Sequence, residues 1–196
     1  MNMKNYARIF IIFLFISFIS AQTYVPDDNF EQALIDLGYD DVLDDYVITD
    51  SINTVTTLDV SNDSISDLTG IEGFIALTYL NCGDNQLDSL DVSNNTALTQ
   101  LWCRTNQLTS LDVSNNTALT VLDCHYNDLT SLDVSSNSAL TDLRCYNNQL
   151  TSLDLSSNTA LISLSNHHNQ LDSLDVSSNT ALTTLHCGNN QLDTLD

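Results

Sequence analysis

The chain has 196 residues, enough for one modest domain, and carries 26 acidic residues against 4 Lys and Arg, a formal charge of −22. That balance excludes surfaces built to hold nucleic acid or anionic membrane.

The first segment has the pattern of an export signal. Lys4 and Arg8 give a positive start, Ile9 to Ile19 is an apolar run interrupted by Ser17, and Ile19-Ser20-Ala21 offers small residues for cleavage. The run is short for a membrane span. Residues 1–21 are therefore read as a signal peptide, with the mature chain starting at Gln22. Losing Lys4 and Arg8 takes the charge from −22 to −24 and leaves Arg104 and Arg144 as its basic residues.

Residues 22–54 read as a helical cap. Asp28 and Glu31 have capping-box spacing, and Phe30, Ala33, Leu34 and Leu37 share one helical face before Gly38. Asp41 to Val47 predicts a further short turn. Val55 to Ala76 is a transitional unit of 22 residues, in which Leu58-Asp59-Val60 precedes Leu80-Asn81-Cys82 by one unit.

From Leu77 the chain repeats every 21 residues: LTYLNCGDNQLDSLDVSNNTA, then LTQLWCRTNQLTSLDVSNNTA, and onward to LTTLHCGNNQLDTLD. Leu80/Cys82 and Leu90/Val92 are spaced by two, the period of a strand. Asn85 and Asn95 stand where the chain must turn, and an inward Asn can pair its amide with backbone groups a bend would orphan. Each unit is thus one coil of strand, turn, extended segment and turn. One coil cannot bury its leucines alone, so the units must stack into a solenoid spanning 55–196. Stacking turns every column into a ladder: Asn85, Asn106, Asn127, Asn148, Asn169 and Asn190 form one; Cys82, Cys103, Cys124, Cys145 and Cys187 form another, with Asn166 in the vacant place. The sequence stops at Asp196 in mid-coil, which reads as a truncation.

The L-x-x-L-x-C-x-x-N-x-L and L-x-x-L-D-V-S-x-N runs resemble the short leucine-rich repeats of secreted bacterial surface proteins, especially those of Bacteroidetes-type bacteria. The resemblance runs from Val55 onward, and Tyr24 to Asp41 is similar to the amino-terminal cap of such proteins. It implies a leucine-rich-repeat solenoid, with a parallel β-strand ladder, extended segments opposite and an amino-terminal helical cap. It also implies a place outside the cell, secreted or on its surface.

Two sides of the coil differ in information. Outward positions of the principal strands vary although the repeat around them does not. They carry Tyr79, Trp102, Arg104, His125, Arg144, Tyr146, His167 and His186, with Tyr126 and His168 one position further on. Aromatic and Arg side chains are common binding anchors, so this face is the candidate ligand surface, centred on Trp102, Tyr126 and Tyr146. Drift at unconstrained positions would also produce variety. The opposite side repeats Ser, Asp and Ser, with Asp91, Asp112, Asp133, Asp154 and Asp175 as its acidic column. Calcium favours carboxylate oxygens, but no twelve-residue calcium loop is present, so this column is read as solvated and hydrogen-bonded, with calcium a secondary candidate.

Other columns are read as structural. The cysteines point inward and pack as small apolar thiols, because neighbouring side chains point the same way and a disulfide would strain. His125 and His167 lie two coils apart, about 10 Å, too far to share an ion; His167 and His186, on neighbouring coils, are a weaker pairing. Thr78, Thr99, Thr120, Thr141 and Thr183 lack a paired threonine column and are assigned to the scaffold. No catalytic constellation, cofactor motif or metal site stands out. Three functions follow: a scaffold for an extracellular protein partner, a carbohydrate-binding module, or a spacer.

Overall fold

The structure, a computed structural model, describes residues 20–195. The signal reading over 1–21 therefore lies outside the described residues, save for Ser20 and Ala21 at its end.

The cap is more than a helix. Strand β1 (Gln22–Tyr24) precedes helix α1 (Asp28–Asp36), and strand β2 (Tyr46–Ile48) returns antiparallel to β1 before the short helix α2 (Thr49–Ile52). The capping-box expectation is corrected. Asp27, not Asp28, caps α1, its Oδ1 accepting the N–H groups of Asn29 and Phe30 at 3.0 Å each. Glu31 is fully buried and reaches away from the helix start, its Oε1 accepting from the N–H groups of Asp44 and Tyr46. Leu37 falls past the last helical turn and is half exposed rather than part of the core. The turn expected over Asp41 to Val47 ends earlier, since Val47 is already in β2.

Asp27 also joins cap to solenoid. Its Oδ2 accepts from the Ser66 N–H at 2.8 Å, the Ser66 hydroxyl at 2.7 Å and the Asp67 N–H at 3.0 Å. Burial pushes this carboxyl up, but the hydrogen bonds outweigh it and hold it below the ordinary carboxylate value. Gly70 is required where the two parts meet: its φ is +108°, and a β-carbon there would lie 2.7 Å from the Val25 side chain.

The solenoid follows the repeat. Strands β3 (Thr57–Asp59), β4 (Tyr79–Asn81), β5 (Gln100–Trp102), β6 (Val121–Asp123), β7 (Asp142–Arg144), β8 (Ser163–Ser165) and β10 (Thr184–His186) form one parallel sheet in that spatial order. Registers place Leu58 beside Leu80, Leu80 beside Leu101, and so on to Leu185. The transitional unit therefore feeds the principal sheet, as its spacing predicts. On the other side the L-D-V-S segments stay extended; among the described residues only β9 (Ser173–Leu174) and β11 (Thr194–Leu195) pair there.

Two asparagine ladders bind coil to coil. Asn106 Nδ2 donates to the carbonyls of Cys82 and Cys103 at 3.1 Å each, and its Oδ1 accepts the Leu87 N–H at 3.0 Å. Asn127, Asn148, Asn169 and Asn190 repeat this pattern, and Asn85 adapts it to the first coil. The second ladder, Asn95, Asn116, Asn137, Asn158 and Asn179, lies deeper, each Nδ2 spanning two carbonyls. The threonine column is likewise structural: Thr99, Thr120 and Thr141 each donate a hydroxyl to the carbonyl one coil back.

The cysteines are free thiols. Cys82, Cys103, Cys124 and Cys145 are fully buried, and burial pushes the Cys82 and Cys145 thiols up to about 12. Asn166 fills the fifth place with neither side-chain polar atom partnered.

Candidate ligand-binding face

Side chains alternate across each strand, so residues flanking the buried Leu ladder must project from the sheet. The structure brings most of the expected residues together in two linked groups.

The first is a column of rings. The chain leaves β6, β7 and β8 through His125, Tyr146 and His167, which occupy equivalent positions on successive coils. Tyr146 lies between the two imidazoles, 4.2 Å from the His125 centroid at 11° and 4.4 Å from that of His167 at 10°. Tyr126 meets the Tyr146 ring edge-on at 5.7 Å, and His168 meets His167 edge-on at 5.3 Å. Tyr126 and His168 project because the turn places them in the left-handed region, at φ 52° and 54°, with Asp84, Thr105, Asn147 and Asn189 in the same column. Tyr146 thus stands between the His125 and His167 imidazoles, which lie two coils apart. Burial chiefly, and then the neighbouring His168, His186 and His125, hold the His167 imidazole below its ordinary value.

The second group is polar. Asp123 projects outward from β6, yet is fully buried beneath its neighbours. His125 Nδ1 donates to Asp123 Oδ1, and the Arg144 guanidinium stands 3.7 Å from Asp123 Oδ2. Arg144 also pairs with Asp142 at 2.7 Å, while its Cζ sits 5.4 Å from the Trp102 ring centroid. Arg104 folds back over Gly83 and pairs with Asp84 at 3.1 Å.

Two expected residues stand apart. Tyr79 on β4 joins neither group, and burial pushes its phenol up. His186, at the far end, reaches only the Ser165 hydroxyl at 3.3 Å. Sequence reasoning left Asp84, Asp123 and Asp142 out of the candidate residues, although all three pair with the two arginines. The signal was available in the two-residue spacing of Asp142 and Arg144, which puts both on one face of a strand.

The opposite side is a row of Asp turns. Asp91, Asp112, Asp133, Asp154 and Asp175 each accept the N–H of the Ser two residues on, at 2.8 to 2.9 Å. Those serines hold all five carboxyls below the ordinary value, chiefly by the hydroxyl in Asp91, Asp112 and Asp175 and by the backbone N–H in Asp133 and Asp154. A shallow groove lined by Asp67, Glu72, Asp91 and Asp112 opens beside them. Among the described residues, no group of three or more His, Cys, Asp or Glu is placed to hold a metal ion, and no helix is long and apolar enough to cross a membrane.

No protein-family model matches the chain. Internalin J of Listeria monocytogenes is 44% identical over 77 residues, which make up 39% of this chain and 8% of that protein. A solved functional domain of the same internalin, described as including a cysteine ladder, superposes with a TM-score of 0.57 at 32% identity, covering 90% of this chain and 50% of that one. A leucine-rich-repeat protein of Leptospira interrogans superposes at 0.66 with 27% identity, covering 74% of this chain and 40% of that one. The chain thus spans half or less of each of these three relatives. The cysteine column, the coil length and the sheet register agree with these likenesses: the chain is a leucine-rich-repeat solenoid, internalin-like in its repeats.

Proposed function

We propose that the chain is a binding scaffold of the cell surface or extracellular space, and that its strand face engages a protein partner. The observation that carries this reading is the ring column. The faces of Tyr146 are covered by His125 and His167, so what the column offers outward is ring edges and polar tips. A sugar stacks on an open aromatic face, and of the two tyrosines in this column the strongly exposed one is Tyr126, at 54%. Both arginines are already paired with carboxylates, so the face is not an anion site. Edges, hydroxyls and imidazole nitrogens on a rigid base suit the mixed apolar and polar surface of a protein. The internalin-like repeat supports the same reading by analogy of fold. So do the signal-like segment at 1–21 and the resemblance to secreted surface proteins of Bacteroidetes-type bacteria.

The test is a binding screen of the purified chain against extracellular proteins and a glycan array, with and without calcium. The proposal expects a protein hit that survives chelation of calcium. A glycan hit lost on Tyr126→Ser would favour the carbohydrate reading, and no hit from a folded chain would favour the spacer.

A further inference from the structure

Asp123 is anomalous among the outward positions of the sheet. A buried, desolvated carboxylate is costly unless it is paired, and this one faces a different partner with each oxygen, by a hydrogen bond at Oδ1 and by a charge contact without a hydrogen bond at Oδ2. Oδ1 takes the Nδ1 proton of His125, and Oδ2 faces the Arg144 guanidinium at 3.7 Å. Each partner begins a separate line of contacts. From His125 the line runs through Tyr146 to His167 by face-to-face stacking. From Arg144 it runs to the Trp102 ring on one side and to Asp142 on the other. Asp123 is thus the point where the ring column and the tryptophan group meet. Equivalent positions on neighbouring coils hold Trp102 and Arg144, so nothing in the repeat demands a carboxylate there.

We propose that Asp123 is the positioning residue of the binding face, the buried group that fixes the ring orientation of His125 and the placement of Arg144 over Trp102 before any partner arrives. The proposal rests on the strand face being the working surface, because only there does such preorganisation serve binding. An imidazole whose Nδ1 is committed to a carboxylate keeps its Nε2 for solvent or partner. A guanidinium and an indole held in advance lose less freedom on binding than free side chains do. The specificity of the face then lies in the His125, Tyr146 and His167 edges and the Trp102 and Arg144 pair.

The test needs no ligand, so its result is independent of the binding screen. Long-range nitrogen–proton NMR of the chain reads the tautomer of His125, and emission of Trp102, the single tryptophan of the sequence, reads the Arg144 placement. The native chain is expected to hold neutral His125 in the Nδ1–H tautomer, with Nδ1 facing the Asp123 carboxylate. Asp123→Ala should release His125 to the Nε2–H form that a free imidazole prefers, and should shift Trp102 emission. Asp123→Asn keeps an acceptor for His125 but turns an amide toward Arg144, so it should preserve the tautomer and still shift the emission. The Asn variant decides the matter if the Ala variant does not fold. A folded Ala variant with native tautomer and emission, or an Asn variant with native emission, overturns the proposal, whatever happens to thermal stability.

Discussion

Asn166 is the one break in the cysteine ladder, and replacing it with Cys should stabilise the protein. Its side chain is fully buried, and neither Oδ1 nor Nδ2 finds a partner. Leaving a buried polar group without a hydrogen bond costs about 1–3 kcal/mol, and two such groups on one amide give roughly 2–6 kcal/mol to recover. The backbone of this residue is unaffected: its N–H donates to the His186 carbonyl, and its carbonyl accepts from Asn169 and Asn190. A thiol has nearly the volume of the amide and matches Cys145 and Cys187 on either side, so no cavity or overpacking should offset the gain. With a urea dependence of about 1–3 kcal/mol per molar, the midpoint followed by far-ultraviolet circular dichroism should rise by roughly 1 M or more. Cys145→Asn, which buries the same amide one coil earlier, should lower it by a similar amount. An Asn166→Cys midpoint that is unchanged or lower would refute the reasoning, since it would mean the amide is satisfied or the column does not need a thiol.

Thr105 is β-branched yet held at φ 50°, where only Gly, Asn and Asp are at ease. Thr105→Asn should therefore raise stability by about 1 kcal/mol, measured in the same denaturation assay. In a thiol titration of the native chain at pH 8, Cys187, which is half-buried, should react, whereas Cys82, Cys103, Cys124 and Cys145 should not until urea is added; rapid labelling of all five thiols in the folded chain would contradict the buried ladder. Acid should destabilise the fold in a defined direction. Asp27 and the five Asp-turn carboxyls are held below their unfolded value, so the stability they contribute is full above about pH 4 and is lost as pH falls through their folded values. Asp27→Asn should flatten part of that loss in an acid-unfolding series, whereas a stability that rises on acidification from pH 4 would contradict the assignment.

The solenoid was legible because its period is rigid. A 21-residue repeat with Leu and Cys at strand spacing permits one stacking register, and the ladders of Asn and Cys follow from it without further information. The cap was less legible. Its antiparallel pair joins Gln22 to Ile48 across a helix and a loop, so no short turn announced it, and tertiary contacts gave Glu31 to the loop rather than to the helix start. On the proposed binding face, alternation puts these side chains on one side of the sheet but does not show their contacts. Alternation puts Asp123 on the outer side of the sheet, yet it is fully buried, with His125 and Arg144 against its carboxylate oxygens. Stacking of Tyr146 between two imidazoles likewise depends on side-chain rotamers that spacing does not encode.

The proposed function makes the strand face, not the Asp-turn side, the working surface. Its most direct test is the affinity of a partner captured in the binding screen for two matched triple variants of the chain. One replaces Trp102, Tyr126 and Tyr146 with Ser; the other replaces Ser110, Ser131 and Ser152 on the opposite side with Arg. Loss of binding in the first and native affinity in the second is the predicted result. Native affinity in the first, with loss in the second, would place the site on the Asp-turn side and contradict the proposed function.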